Sequence, residues 1–403
     1  MGVIPFKLPD AWLKYNLREV LPNLLVAQFA IDSLNQMPVQ KDWVERLNEM
    51  EFKREIAGTS RIEGAQFTDE ELDDALNESY EELLTRSQRQ ARAAQSAYRW
   101  IEKIPNDRPI DLDLVLEIHR RMITNADDDH CPPGQLRQQD ENVSFGHPRH
   151  RGVEGGDACR IAMDAFLNAC NTEYKDHDPL IQALAAHYHI AAMHPFLDGN
   201  GRTARALESL LMKRAGLSDK CFVAMSNYYY EEKSTYLAKL AEVRENDHNL
   251  NEFLKFGLEA VTKKCAALSR EVKKEISKAI YRNTMYDMFN RMVGPKKRVL
   301  GKRQLAILAE LLDEGALDVD LLYDRVEIKY ARLKHGEKAF IRDLQNLLAL
   351  KAIDVDLEDH TRPTFFVRLE WPSKISENEF LQRLRNLPKA KTYPFLDSIS
   401  KRR

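Results

Sequence analysis

The stretch His194-Pro-Phe-Leu-Asp-Gly-Asn-Gly-Arg-Thr-Ala-Arg205 decides how the centre of this 403-residue chain folds. An apolar segment ending near Met193 predicts a helix, and Gly199-Asn-Gly201 interrupts it. A new helix is predicted from about Arg202. Glycines just before a helix N-terminus allow backbone N–H groups to converge on an anion. The stretch therefore predicts an anion-binding turn between two helices.

Two arginines follow this turn. Arg202 and Arg205 are three residues apart, and long helical side chains lean toward the helix N-terminus, so both guanidinium groups should point back at the glycines. A helix N-terminus already carries about half a positive charge, which makes this arrangement costly when no anion is present. Because arginine matches phosphate oxygens bidentately, a polyphosphate is the expected ligand.

Asp198 and His194 complete the set. A carboxylate beside phosphates would be repelled unless a divalent cation lay between them, and Mg²⁺ prefers one or two carboxylates plus phosphate oxygens. His194, at the other end of the loop, is placed to deprotonate a hydroxyl. Together these residues indicate transfer of a phosphorus-centred group from a nucleotide. The Walker A string, another phosphate-binding motif, does not occur in the sequence.

Other histidines and cysteines give weaker signals. His187 and His189 are two residues apart and would face different sides of a helix, which favours core histidines over zinc ligands. The cysteines are odd in number and widely spaced: Cys131, Cys159, Cys170, Cys221 and Cys265. This pattern is not a disulfide framework, so a cytoplasmic location is the default expectation.

The quoted stretch resembles the Fic family motif HxFx[DE]GNGRxxR at every defined position, and the resemblance extends over about residues 45–265. It implies a helical core that transfers AMP from ATP to a Ser, Thr or Tyr hydroxyl of a target protein or of the enzyme itself. The implied roles, in chain order, are the base (His194), the loop anchor (Phe196), the Mg²⁺ or Mn²⁺ ligand (Asp198), the phosphate cradle (Gly199, Asn200, Gly201), the β- and γ-phosphate arginines (Arg202, Arg205) and the remaining ATP-binding positions (Thr203, Ala204).

A second element lies upstream, at Thr59-Ser-Arg-Ile-Glu-Gly64. We expect a helix from about 39 to 57, then a short helix over about 57–64 that stops at Gly64. Thr59 and Glu63 share a face, and spacing alone favours a solvated helix end. The segment is similar, however, to the family's inhibitory helix [ST]xxxE[GN]. That resemblance implies that Glu63 pairs with Arg205 and blocks the γ-phosphate position. The resemblance leaves a second role open, in which Glu63 positions a water that removes AMP from a modified target, as some relatives are thought to do.

Residues 131–156 are rich in turn formers and predict a short β-hairpin, or flap. The resemblance implies that the flap, about 142–150, aligns a target segment by β-strand addition. Gly134-Gln-Leu-Arg137 resembles the family's G-x-[YF]-R lead-in to the flap. Phe145-Gly-His-Pro-Arg-His-Arg-Gly152 is more polar than the family pattern, which leaves the target preference open.

Ser226-Asn-Tyr-Tyr-Tyr230 resembles the family's S-x-Y segment, which lies near the adenine. Tyr228 and Tyr229 are candidates for stacking on that ring. A plain core position is the alternative for both.

The predicted fold class is mainly α, with a Fic-type helical core, a short hairpin flap and a C-terminal winged-helix domain. The predicted boundaries are 1–105 for an N-terminal helical region, 106–265 for the catalytic core, 266–290 for a linker helix and 291–403 for the winged helix. The last range predicts three helices and a hairpin. Neither Gly/Pro low-complexity architecture nor a membrane span fits the composition.

The winged-helix prediction raises a second function class, a DNA-binding regulator that uses the Fic site as a nucleotide sensor. The helix predicted at 336–349 offers only Lys338, Arg342, Gln345 and Asn346 as polar readers, and its charge is balanced. Protein docking or a homodimer is therefore favoured over DNA. An enzyme that removes AMP from modified protein is a third alternative, because it would keep the same loop.

Overall fold

The computed structural model describes residues 3–217, 222–290, 301–358 and 362–386, together with 393, 395 and 396. Cys221 lies outside the described residues. The chain divides into two compact units, Met1–Ser269 and Arg270–Arg403. Among the described residues, no helix combines the length and the apolar character that crossing a bilayer requires.

The first unit is almost entirely helical, which confirms the mainly α prediction. Its helices are α1 (Leu17–Asn35), α2 (Lys41–Ile62), α3 (Asp69–Asn77), α4 (Arg86–Ile101), α5 (Leu112–Ile123), α6 (Asp157–Asn171), α7 (Pro179–Met193), α8 (Asn200–Arg214), α9 (Met225–Glu231) and α10 (Lys233–Glu245). A 3₁₀ turn covers Glu173–Asp176. Helix α11 (Asn251–Asn290) is continuous where the sequence predicted a separate linker helix over 266–290.

Helix α7 forms the centre of this unit. Every residue in it except Pro179 and Gln182 is buried, as expected for a helix that is apolar on all sides. Its two histidines are core residues with partners. His187 contacts Glu208 and the Tyr236 hydroxyl, and His189 Nε2–H donates to the Trp12 carbonyl at 2.7 Å. Both histidines are fully buried.

Helix α2 differs from the prediction, because one helix runs from Lys41 to Ile62 where a break near residue 57 was expected. A glycine inside a helix costs about 1 kcal/mol relative to alanine, so Gly58 favoured a break. The tertiary contact reverses that preference. A Cβ on Gly58 would lie 2.6 Å from the backbone of Ser226 and Asn227, so glycine is what allows α2 to pack closely on α9. The predicted stop is present, since Gly64 has φ +98° just beyond the helix.

The flap is a two-stranded antiparallel hairpin formed by β1 (Ser144–Phe145) and β2 (His150–Arg151). The sequence did not predict its third member. Ile4 pairs in parallel with the outer edge of β2, where its N–H donates to Arg149 O at 2.9 Å and its carbonyl accepts from Arg151 N at 2.8 Å. The N-terminal segment is thereby fastened to the flap.

The second unit follows the predicted order of three helices and a hairpin, with one further short strand before the second helix and two further short helices after the hairpin. Its elements are α12 (Lys302–Glu314), β3 (Leu317–Asp318), α13 (Val319–Val326), α14 (Gly336–Ala349), β4 (Ile353–Asp356), β5 (Thr364–Val367), α15 (Trp371–Lys374) and α16 (Glu377–Asn386). The strands form an antiparallel sheet in the order β3-β5-β4. Leu311, Leu322, Leu344 and Phe365 lie in its apolar core.

Candidate active site

The motif loop joins α7 to α8, as predicted. His194 ends α7 in the left-handed region, with φ 53°, and its N–H donates to Ile190 O. Helix α8 begins at Asn200, two residues earlier than expected. Gly199 precedes it with φ 72°, and a Cβ there would lie 2.6 Å from Ile123 Cδ1. Both the backbone angle and the close packing require glycine at this position.

His194 has the geometry of a general base. Its Nδ1 lies 3.1 Å from the Ala191 carbonyl, which can only accept, so Nδ1 carries the proton and Nε2 keeps its lone pair. Burial lowers the pKa of His194 to about 4, and the nearby charge of Arg137 acts in the same direction. The imidazole is therefore neutral at physiological pH. Phe145 of the flap stacks on the ring at 3.9 Å, with 11° between the planes.

Buried side chains fix the loop between the two helices. Phe196, the predicted anchor, is fully buried, and His119 of α5 stacks on it at 3.7 Å. Gly134 N–H donates to His119 Nδ1, so Nε2–H of the same ring donates to Asp198 O at 3.1 Å. The Asn200 amide bonds both the N–H and the carbonyl of Phe196 at 2.9 Å. The Asn200 side chain thus shapes the loop, and its backbone is what remains for an anion.

Arg137 ties the loop to the flap. Its Nε donates to His194 O at 2.8 Å, one Nη donates to Glu141 O at 2.5 Å, and the other donates to Val153 O. Its own N–H donates to Pro195 O at 3.0 Å. The side chain is 2% exposed. This arginine, the last residue of the predicted flap lead-in, therefore positions the base by hydrogen bonds to carbonyls on both sides.

Arg205 is held by the α2 segment. Its Nε donates to Thr59 Oγ1 at 2.9 Å, and Nη2 donates to Thr59 O at 3.1 Å and to Glu63 Oε1 at 2.7 Å. Burial alone would raise the pKa of Glu63, but the charges of Arg205 and Arg202 outweigh it and lower the pKa. A Cβ on Gly201 would lie 2.3 Å from Glu63 Oε1, so this carboxylate reaches the first turn of α8.

Arg202 has a carboxylate partner that the sequence did not reveal. Its Nη1 lies 2.5 Å from Asp127 Oδ2, and both side chains are almost fully buried. Asp127 also accepts from Arg86 Nε at 2.6 Å and from Gln90 at 3.0 Å. Each of the two motif arginines, Arg202 and Arg205, is thus paired with a carboxylate. The acidic run Asp127-Asp-Asp-His130 was the available sequence signal for this partner.

The other two α8 positions for which the resemblance implies ATP binding lie inside the helix packing. Thr203 and Ala204 are fully buried, and the Thr203 N–H already donates to Gly199 O at 2.9 Å.

Asp198 suits the divalent cation that the resemblance implies. Its side chain is 38% exposed, and Oδ2 lies 2.9 Å from His130 Nε2 and 3.5 Å from Arg202 Nη2. Burial opposes its charge, but Arg202 and His130 outweigh burial and lower the pKa of Asp198. An ionised, partly exposed carboxylate just before the start of α8 is the kind of donor that Mg²⁺ or Mn²⁺ needs. Side-chain atoms of His130 and Asp127 lie within 4.8 Å of one another and of Asp198, but the Asp127 carboxylate is already held by Arg202 and Arg86.

A buried glutamate that the sequence analysis missed fastens α2 to α9. Glu55 accepts from Ser226 N at 2.8 Å, from the Ser226 hydroxyl and from Tyr98 OH at 2.7 Å. Burial raises the pKa of Glu55 to about 7. Because Glu55 lies one turn before Thr59 on α2, the segment that holds Arg205 is anchored to the helix that carries Tyr228 and Tyr229.

The two candidate adenine tyrosines occupy core positions. Tyr229 is fully buried, stacks on Tyr236 at 4.8 Å and donates to Glu208 at 2.8 Å. Tyr228 is 6% exposed, and its hydroxyl accepts from Lys263 Nζ at 3.2 Å. Of the two, only Tyr228 keeps an exposed edge.

Residues 109–212 match the Fic/DOC family. Protein adenylyltransferase Fic of Drosophila willistoni is 35% identical over 103 residues, which cover 25% of this chain and 19% of that protein. Protein adenylyltransferase fic-1 of Caenorhabditis elegans is 34% identical over 137 residues, covering 34% and 25%. The chain therefore spans a quarter or less of the length of these curated relatives.

The fold is shared more widely than the sequence. The crystal structure of a Fic family protein from Desulfovibrio desulfuricans G20 aligns with a TM-score of 0.54 at 17% identity, covering 91% of this chain and 98% of that chain. The match supports the predicted fold.

Proposed function

We propose that this chain, whose residues 109–212 form a Fic domain, is an autoinhibited protein adenylyltransferase that transfers AMP from ATP to a Ser, Thr or Tyr hydroxyl. The observation that carries the proposal is the meeting of a neutral base with a cationic helix terminus. His194 keeps Nε2 free at one end of the loop, while Arg202 and Arg205 lie buried at the other. The names of the relatives agree with this reaction.

The proposed reaction forms one P–O bond at the α-phosphorus of ATP and breaks another. The target hydroxyl gives its proton to His194 Nε2 while its oxygen attacks the α-phosphorus of ATP. A P–O bond to the target forms, the bond from the α-phosphorus to the bridging oxygen breaks, and pyrophosphate leaves. The α8 N-terminus and Arg202 stabilise the charge that develops on the phosphates. When bound at Asp198, a divalent cation would neutralise phosphate charge.

Autoinhibition is supported by the contacts of Arg205. Thr59 and Glu63 accept hydrogen bonds from its Nε and Nη2, so this edge of Arg205 offers no unpaired donor to a γ-phosphate. We propose that ATP then binds in a pose that does not present the α-phosphorus to the hydroxyl. Releasing Glu63 would return one Nη2 N–H of Arg205 to the nucleotide, while Thr59 would still accept from Nε and Nη2.

The target protein would dock on the flap. The outer edge of β2 is already paired with Ile4, so we propose that the target segment adds to β1. Phe145 of β1 stacks on His194, which puts that edge next to the base. Main-chain pairing there would bring a target hydroxyl to Nε2.

For the second unit we propose protein docking rather than DNA reading. Of the four polar readers predicted on α14, Lys338 and Arg342 are exposed, Gln345 is half-buried and Asn346 is buried. Two exposed cations give little phosphate contact. Apolar side chains are exposed nearby in sequence, with Ile328 at 82%. A mobility-shift assay over a salt series tests this assignment, because a salt-dependent shift would favour DNA.

The reaction is tested by incubating the full chain with Mg²⁺ and α-labelled ATP. We expect weak self-labelling of the wild type and strong self-labelling of Glu63→Gly. The double variant Glu63→Gly/His194→Ala should show no labelling. Glu70→Gly, at an exposed glutamate on α3, is the matched control and should label like the wild type. Equal labelling of all variants would refute the proposal. Mass spectrometry of lysate proteins treated with Glu63→Gly would identify the adduct and the acceptor residue.

A further inference from the structure

His130 has both ring nitrogens committed to carboxylates. Its Nε2 lies 2.9 Å from Asp198 Oδ2, and its Nδ1 lies 2.7 Å from Asp129 Oδ1. The His130 side chain is 42% exposed and the Asp198 side chain is 38% exposed, so solvent reaches both. A histidine therefore faces the one carboxylate of the motif loop that is expected to hold a cation.

The spacing of these two atoms suits a shared cation. An octahedral ion with ligands at about 2.0–2.2 Å holds neighbouring ligand atoms roughly 3 Å apart. His130 Nε2 and Asp198 Oδ2 are already at that separation. A cation could bind both with little side-chain movement, by taking the place of the proton between them.

Asp129 supplies the supporting contact that such a ligand needs. Metal-bound histidines generally donate their other ring N–H to a carboxylate, which fixes the ring orientation and raises the basicity of the ligating nitrogen. The Nδ1 contact of His130 to Asp129 has this form. It leaves Nε2 as the ligating nitrogen.

Asp127, the third group nearby, is not available as a ligand. Its carboxylate is held by Arg202, Arg86 and Gln90. Arg86 also places Nη2 3.3 Å from His130 Nε2, where its charge opposes a cation. The phosphates of a nucleotide would offset this repulsion, so the cation should bind together with the nucleotide.

We infer that His130 is a second protein ligand, beside Asp198, of the divalent cation in the nucleotide complex. The inference rests on the proposed function, since it needs a metal–nucleotide at this loop. An imidazole ligand suits Mn²⁺ and later first-row ions better than Mg²⁺, which prefers oxygen. The site is therefore a mixed nitrogen and oxygen site, with phosphate and water oxygens completing it.

Pulsed electron paramagnetic resonance of bound Mn²⁺ tests this ligand directly. The sample is full-length Glu63→Gly with Mn²⁺ and α,β-methylene-ATP, which cannot release pyrophosphate. We expect ³¹P couplings from the nucleotide together with the ¹⁴N modulation of a coordinated imidazole. His130→Ala should lose the ¹⁴N modulation and keep the ³¹P couplings. His147→Ala, at an exposed flap histidine, is the matched control and should keep both.

The outcomes separate the two claims. Phosphorus couplings without nitrogen modulation, or nitrogen modulation that persists in both His130→Ala and His130→Gln, would overturn His130 as a ligand and leave adenylyl transfer standing. Absence of any Mn²⁺ with phosphorus couplings would overturn the proposed function, and this inference with it. Circular dichroism of each variant establishes that it is folded.

Discussion

Glu63 at the end of α2 and Arg205 in α8 form an ion pair, with Oε1 2.7 Å from Nη2. The arginine side chain is 1% exposed and the glutamate side chain 32%. The pair is asymmetric, because removing the glutamate leaves a buried cation without its charge partner, whereas solvent reaches the glutamate directly. An anionic ligand is the natural replacement for that carboxylate.

The first prediction concerns thermal stability. Glu63→Gly should lower the unfolding temperature of the ligand-free protein, because an uncompensated buried charge costs about 1–3 kcal/mol. Magnesium–ATP should then raise that temperature more in the variant than in the wild type, since the nucleotide replaces the lost carboxylate. Differential scanning fluorimetry over an ATP titration measures both effects. If magnesium–ATP raised the unfolding temperature equally in both proteins, Glu63 would not occupy the position of a phosphate.

The second prediction concerns pH. Burial lowers the pKa of His194 to about 4, and only the neutral imidazole acts as a base. As pH falls, kcat/KM of Glu63→Gly should therefore stay level through pH 6.5, the usual histidine pKa, and decline only toward pH 4. Adding Phe145→Ala uncovers one face of the ring and should move the decline to higher pH. If kcat/KM of Glu63→Gly with Phe145 intact declined around pH 6.5, the result would be inconsistent with a buried base.

The third prediction concerns the contact between α2 and α9. Gly58→Ala places a methyl group 2.6 Å from the backbone of Ser226 and Asn227, at a cost of about 1–3 kcal/mol. The shift of α2 should loosen Glu63 and raise self-labelling several-fold. Gly257→Ala, which meets the Leu184 side chain at 2.3 Å, is a control that destabilises without touching α2. Equal labelling of both variants would mean that general destabilisation, rather than α2 packing, releases the site.

The fourth prediction concerns the N-terminal segment. Ile4→Pro removes the N–H that donates to Arg149 O and should free the flap from this segment. In the Glu63→Gly background we expect several-fold slower protein modification with an unchanged affinity for ATP. Calorimetry and a labelling time course separate the two quantities. Val3→Pro is the matched control. If it slows protein modification as much as Ile4→Pro does, the effect does not come from the pairing of Ile4 with β2.

Sequence reasoning succeeded where the determining signal is local. The turn at 199–201 was predictable because a positive φ at a helix start requires glycine, and the end of α2 was predictable from Gly64 for the same reason. The run from Asp127 to His130 was visible in the sequence, but its pairing with the motif was not predictable, since it lies about 70 residues away and reaches the motif only when α5 packs on α8.

The same distinction explains the errors in secondary structure. The break predicted near residue 57 followed the low helix propensity of Gly58, and the contact with α9 overrides that propensity. The pairing of Ile4 with the flap is a single residue wide, so no alternating strand pattern announces it.

The continuity of α2 limits how the site can be opened. Helix α2 carries Glu55, Gly58 and Thr59 without a break and ends next to Glu63. A rotamer change at Glu63 alone would therefore leave the hydrogen bonds from Arg205 to Thr59 intact. The contacts of the Arg205 guanidinium with Thr59 break only if α2 shifts as a whole or unwinds over its last turns. A regulatory partner that binds the outer face of α2 and displaces this helix would therefore open the site without occupying the nucleotide position.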